Sequence, residues 1–305
     1  MVQTQVRKIF LALGTVNTLT VFSDGCEDAL DRARDRVTEL HKKLSAFDSE
    51  SEIGRINKNA GKAAVKVSSD TLRLIESAVS YSKQTNGLFD ITINPLSMLW
   101  KNAVRRHSLP ENGEVEAKLS LTNYRDILID RESGTVMLKK EGQALDLGAI
   151  AKGFAADEVK RIFLEENINE AIINLGGTVI TLGESRKIGI QNSFEKTGAA
   201  FASLDLQDKA VVSSGLYEQG FEKNGRFYHH IVHPKTGYPV NSEIIGVTLT
   251  GDSAEELDTL STTALMMGMT AAAGFLKLFG AEAVFVTRDR KIYTTDGLKG
   301  LLEFV

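Results

Sequence analysis

Four segments of this 305-residue chain carry residue types that do chemistry. In Ser253-Ala254-Glu255-Glu256-Leu257-Asp258-Thr259-Leu260-Ser261-Thr262, Ser253 and Glu256 have the spacing of a capping box, which sets the start of a helix. Asp258 and Thr262 then stand at i and i+4 with Ser261 at i+3, so one helix face offers a carboxylate and hydroxyls together. Oxygen donors of this kind suit a hard cation such as Mg2+. The same pattern also fits an exposed helix-start acid beside a buried threonine.

The second segment, Ala144-Leu145-Asp146-Leu147-Gly148-Ala149-Ile150-Ala151-Lys152-Gly153, runs from apolar residues through a glycine into a helix start. Free N–H groups at a helix start receive anions, Lys152 adds a point charge, and Asp146 can hold a ligand hydroxyl or base edge. The glycine spacing is neither that of a Walker A loop nor that of a dinucleotide fingerprint.

The third, Arg226 to Pro239, holds three of the five histidines. If it is extended, the adjacent His229 and His230 point to opposite faces. Pro234 and Gly237 exclude a helix there, and the single cysteine, Cys26, is remote, which disfavours zinc. One histidine acting on an anionic substrate or in proton transfer fits better. The fourth, Phe89 to Trp100, ends in the sole tryptophan and reads either as core or as an aromatic lip able to stack on a planar ring.

The elements that must position these residues follow from periodicity. Residues 6–22 read as extended, interrupted by Gly14. A helix capped by Asp24 follows, with Ala29, Leu30, Ala33, Val37, Leu40 and Leu44 as its apolar stripe. A second helix spans about Asp70 to Asn86, with Leu72, Ile75, Ala78 and Val79 inward and Gly87 as its stop. Residues 124–140 form a hairpin around Glu132-Ser133-Gly134, and a third helix occupies about 149–166. Strand-like runs at 170–175, 178–182, 187–191, 199–206 and 245–250 precede a helical pair over 254–280, and strands at 282–287 and 291–295 follow. Strands outnumber helices and come in consecutive runs, so the expected class is α+β with mostly antiparallel sheets and packed helices. Without a Pro-, Gly- or Ser-rich linker, residues 1–305 are expected to form one interleaved unit, with room for two interleaved subdomains.

Composition is that of an ordinary globular protein, 42% hydrophobic and 25% charged, with a net charge of -4 and no block of like charges. That disfavours a nucleic-acid partner. Residues Thr259 to Leu276 carry no charge, but their serine, threonines and glycines argue against a transmembrane segment. The first eight residues lack the pattern of a signal peptide, so the chain as written is expected in the cytoplasm. Had a leader been trimmed, a membrane-associated place outside the cytoplasm would be expected.

Together these segments resemble the ApbE family of FAD:protein FMN transferases. The resemblance rests on Leu13-Gly14-Thr15, on Phe47-Asp48-Ser49-Glu50-Ser51-Glu52-Ile53 near Asn57, on Phe89-Asp90 through Trp100, and on Asp146 through Ala155. It continues in Asn174-Leu175-Gly176-Gly177, Ser213-Ser214-Gly215, His229-His230-Ile231 to Pro239, and Asp258 to Thr262. It implies a Mg2+-dependent enzyme that cleaves FAD, releases AMP and places FMN on a threonine of an acceptor flavoprotein of a redox complex. By the same resemblance Ala149, Asp258, Ser261 and Thr262 are the metal site, and Phe47, Leu99, Trp100, Asp146, Lys152 and Ile231 touch FAD. His230 acts near the phosphoryl centre, and either it or Asp258 serves as the base. An FAD pyrophosphatase and a non-catalytic FAD-binding protein are the alternatives. At one place the chain departs from the family pattern: Lys101-Asn102 follow Trp100 where a glycine and an aromatic residue are common.

Overall fold

Val6–Ala12 (β1) and Thr15–Val21 (β2) pair antiparallel across Leu13-Gly14, both with positive φ, a turn that glycine makes at no steric cost. Ile9, Leu11 and Val16 of this hairpin are exposed. The computed structural model describes residues 4–195, 198–216 and 220–305. Helix α1, Glu27–Leu44, buries the whole expected stripe. Its start lies beyond the expected Asp24 cap, because Gly25 takes φ 69° and cannot enter a right-handed turn.

The chain continues through α2 (Glu52–Lys58), β3 (Val65–Lys66), α3 (Ser69–Gln84), α4 (Asn94–Arg106), α5 (Asn112–Leu119), β4 (Ile127–Asp130) and β5 (Thr135–Leu138). Next come α6 (Ala151–Glu165), β6 (Ala171–Leu175), β7 (Thr178–Leu182), β8 (Arg186–Gln191), β9 (Ala200–Leu206) and β10 (Ala210–Gly215). The remainder is β11 (Gly220–Lys223), β12 (Arg226–His229), β13 (Ile244–Gly251), α7 (Ala254–Met267), α8 (Met269–Leu276), β14 (Glu282–Thr287), β15 (Ile292–Thr294) and β16 (Leu302–Phe304). Helices α2, α4 and α5 were not expected from periodicity. Helix α4 begins with Pro95 in its first turn, where a missing N–H costs nothing, and the Phe89–Trp100 run is therefore mostly helical rather than a lip.

The residues divide into two units. One takes in the chain up to His41, Ile150–Gly215 and Glu243–Val305. It is built on an eight-stranded sheet ordered β1-β2-β6-β7-β10-β13-β14-β15, antiparallel at every pairing, as the α+β reading expects. A small sheet, β16-β9-β8, supplies Ile190, Leu204 and Leu206 to a cluster with Val179, Val211 and Val284 of the large one. Helix α7 packs against β10 and β13, and α6 against β6 and β7. Cover on both faces explains why β7 is buried at all five positions and reads as an unbroken apolar run rather than an alternating one. The uncharged stretch Thr259 to Leu276 is broken at Gly268, which takes φ 78° between α7 and α8. Among the described residues no helix is long and apolar enough to cross a membrane.

The other unit, Lys42–Ala149 and Leu216–Ser242, contains α2 to α5, the three-stranded sheet β3-β5-β4 and the hairpin β11-β12. Its interior gathers Leu96, Trp100 and Ala103 of α4 with Val115 and Val232.

Helices α6 and α7 approach so closely that a Cβ on Gly153 would lie 2.1 Å from the Ala254 carbonyl oxygen. Gly153→Ala is therefore expected to cost about 3 kcal/mol through forced separation of the helices. A urea midpoint within a few tenths of a molar of the wild type would contradict that approach.

Candidate functional site

The expected metal residues lie on α7. Ser253 caps the helix, its hydroxyl accepting the Glu256 N–H at 3.2 Å, and Asp157 of α6 accepts from Ser253 Oγ and from the Ala254 and Glu255 N–H groups. Two side-chain acceptors thus fix the first turn. One turn on, Asp258 is 2% exposed, so the sequence reading of it as an exposed helix-face acid is corrected. Its carboxylate accepts the Lys152 ammonium at 3.0 and 3.3 Å and the Gly153 N–H at 3.0 Å. The i, i+4 rule reports which face a residue occupies, whereas depth is set by the arrival of α6.

The hydroxyls around Asp258 differ. Ser261 is fully buried, donates to the Asp258 carbonyl at 3.0 Å and shares a 2.8 Å hydrogen bond with Ser214 of β10. Thr259 and Thr263 turn back to carbonyls four residues earlier, at 3.2 and 3.0 Å. The half-buried Thr262 side chain makes no such bond among the described residues. No group of three or more His, Cys, Asp or Glu side chains able to hold a metal occurs among the described residues. The oxygen set at Asp258 has a single carboxylate.

In the other unit, residues 144–148 belong to no sheet, and side chains hold their backbone instead. Asn57 of α2 accepts the Leu145 N–H at 2.7 Å and donates to the Leu145 carbonyl at 3.1 Å, and Asn94 donates to the same carbonyl at 3.1 Å. The Asp146 N–H reaches the Ile91 carbonyl at 2.8 Å. Asp146 is thereby fixed, with its Oδ1 accepting the Gly148 N–H at 2.8 Å. Its Oδ2 lies 3.7 Å from the Lys101 ammonium, which in turn sits 5.2 Å from the centre of the Phe47 ring. Phe47 is 71% exposed on a loop tied down by Ser51, which caps α2 and donates to the Ser45 carbonyl. A Cβ on Gly54 would lie 1.9 Å from the Asp48 carbonyl oxygen, so glycine lets this loop rest on the helix. Sequence reasoning gave no role to Asn57, Asn94, Lys101 or Ser214. For the asparagines the one available signal was an amide, able to donate and accept at once, in apolar surroundings.

Trp100 lies inside, 1% exposed, stacked on Tyr228 at 5.7 Å with its Nε1–H donated to the Gly237 carbonyl at 2.7 Å. Leu99 and Ile231 are half-buried, as are Ala149 and Lys152. The histidines separate by partner. His229 is buried, its Nδ1 accepts the Ile231 N–H at 3.2 Å, and so its Nε2 carries the hydrogen donated to the Val240 carbonyl at 2.9 Å. His233 accepts the Lys235 N–H at Nδ1 and, through its main chain, closes the turn at Gly237. His230, just past the end of β12, is half-buried.

The sheet walled by helices and the buried lysine–aspartate pair at a helix start define an α+β enzyme with a charged site. The chain belongs to the ApbE family, whose model matches residues 13–285. A Klebsiella pneumoniae (strain 342) protein named FAD:protein FMN transferase is 37% identical over 264 residues, 84% of this chain and 83% of its own. A Treponema pallidum (strain Nichols) protein of the same name is 27% identical over 311 residues, 94% and 86% of the two chains. The crystal structure of the ApbE protein of Thermotoga maritima has a TM-score of 0.88 at 28% identity, covering 98% of this chain and 99% of its own. The apo flavinyl transferase ApbE of Pseudomonas stutzeri shares the fold, with a TM-score of 0.85 at 22% identity over 98% and 96% of the chains.

Two outcomes follow from the histidines. His229→Ala leaves a buried N–H and a buried carbonyl without partners and should lower stability by about 2–4 kcal/mol, measurable by chemical denaturation. Burial, reinforced by Lys235, holds the His233 ring below the ordinary histidine range. Unfolding therefore takes up a proton between that depressed value and the unfolded value of about 6.5, and stability declines as pH falls through the window while being complete above it. In His233→Gln this part of the pH dependence should vanish; urea midpoints that keep the wild-type slope would assign it elsewhere.

Proposed function

We propose that this chain transfers the FMN half of FAD to a threonine hydroxyl of an acceptor flavoprotein of a redox complex and releases AMP, with Mg2+ bound at Asp258. The observation that carries the reading is the buried Asp258 carboxylate, aligned by Lys152 and Gly153, with the Thr262 hydroxyl one turn further along α7. A carboxylate with hydroxyl oxygens is a donor set that a hard cation takes. Asp258, Ser261 and Thr262, with Ala149, would hold it, Ser261 being braced by Ser214. When bound, the ion neutralises charge on the diphosphate, which is most of what phosphoryl transfer requires.

The chain's own groups do the rest. Lys152 supplies a positive charge at the start of α6 for a phosphate oxygen. Phe47, Leu99, Asp146 and Ile231 bind FAD, and Trp100 backs Leu99 from the interior. In the transfer the threonine oxygen attacks the phosphorus that bears the FMN half, the anhydride bond to the AMP phosphate breaks, and the threonine proton passes to a base. Of the two candidate bases we assign this role to His230, since both oxygens of Asp258 already accept hydrogen bonds. The names of the Klebsiella and Treponema relatives support the reading.

The test is incubation with FAD, Mg2+ and an acceptor domain carrying an exposed threonine, read by intact mass. An FMN-sized increment with stoichiometric AMP is expected. Free FMN and AMP with an unlabelled acceptor would replace transfer by hydrolysis. Asp258→Asn keeps the shape and should abolish turnover, whereas Asp258→Ala also leaves Lys152 without its anion and should cost about 2 kcal/mol of stability. Wild-type turnover in Asp258→Asn, or in excess chelator, removes the metal assignment. His230→Ala should slow transfer by about 10²- to 10⁴-fold at nearly unchanged FAD affinity. Loss of affinity alone would make this histidine a phosphate contact.

A further inference from the structure

Lys101 stands where the sequence departs from the family pattern, and the structure joins it to two of the residues expected to touch FAD. Its ammonium lies 3.7 Å from Asp146 Oδ2 and 5.2 Å from the centre of the Phe47 ring. Three segments far apart in sequence meet there: the loop before α2, helix α4, and the backbone stretch held by Asn57 and Asn94. The Lys101 and Asp146 side chains are 32% and 18% exposed, and Phe47 is 71% exposed. At 3.7 Å the pair is beyond a hydrogen bond, so Asp146 Oδ2 can still accept and the ammonium keeps donors for a further partner.

A donor and an acceptor side by side, next to an exposed ring, form a reading head for a flat heterocycle whose edge presents an acceptor beside an N–H. We infer that Lys101 is a specificity-determining residue of this site: with Asp146 it reads the polar edge of an aromatic heterocycle laid against Phe47, Lys101 donating to a ring nitrogen or carbonyl while Asp146 accepts the neighbouring N–H. The inference rests on FAD being the substrate. FAD offers this edge twice, as the imide of the flavin and as the amino and ring-nitrogen edge of adenine, and the shared chemistry is an acceptor–donor edge on a stacking ring. Phe47 gives area without sequence-like selectivity, so discrimination falls to the charged pair.

The experiment compares wild type, Lys101→Met and Lys101→Arg of the full chain by equilibrium titration with FAD, FMN and ADP, with melting temperatures recorded for each. A charge-assisted contact removed without its partner should weaken FAD binding by about 10- to 100-fold in Lys101→Met, and Lys101→Arg should restore most of it. In the transfer assay KM should rise with kcat nearly unchanged, the pattern of a contact equally strong in the ground and transition states. Weakening confined to FMN assigns the flavin edge, and weakening confined to ADP assigns the adenine edge; either supports the inference. Equal weakening of FMN and ADP marks a phosphate contact and overturns it, as does unchanged FAD affinity in a folded Lys101→Met. Failure of the wild type itself to bind FAD would overturn the proposed function and, with it, this inference.

Discussion

A carboxylate taken out of water must be met by donors, and in this chain Asp258 is met by one ammonium and one backbone N–H, both from the first turn of α6. That requirement fixes more than the acid. It obliges α6 and α7 to lie in contact, which Gly153 allows, and it sets Lys152 at the surface of the site rather than in solvent. Asp157, one turn further along α6, caps α7 from the same side, so the two helices are joined by consecutive polar contacts instead of by apolar surface alone. The sheet beneath them, buried on both faces at β7, gives the pair a rigid floor.

Local rules recovered what local rules govern. The cap at Ser253, the stripe of α1, the stop near Gly87 and the hairpin at Ser133-Gly134 all occur where side-chain spacing placed them, because each is decided within a few residues. Helix α4 escaped for the converse reason. Its apolar positions Leu96, Trp100 and Ala103 have helical spacing, but they follow a run of isoleucines that reads as extended, and only Pro95 marked the change. The depth of Asp258 was likewise out of reach, since burial there comes from a helix more than a hundred positions earlier in the chain.

The second group of residues is organised on a different principle. Residues 144–148 have no strand neighbour, and the amides of Asn57 and Asn94 stand in for one, satisfying the main chain of Leu145 as a ladder would. Such a segment keeps Asp146 in place while leaving its flank open to a ligand, which a paired strand could not do. The histidine segment shows the same division of labour: His229 and His233 serve the main chain around them, and His230 between them is left to chemistry.

The order of strands in the large sheet bears on how the chain is made. Strands β1 and β2 leave the ribosome first, yet Thr20 pairs with Ile172, so the hairpin has no neighbour until about 150 further residues have been synthesised, roughly 10–30 s at ordinary elongation rates. During that interval an apolar two-stranded ribbon, with Ile9, Leu11 and Val16 on its surface, is exposed without the partner strand that later covers one edge. An isolated hairpin is marginal in water. Nascent chains stalled between β2 and β6 are therefore the form of this protein most in need of a chaperone, and substitutions of Ile9 or Leu11 by polar residues act on yield during synthesis far more than on the finished fold.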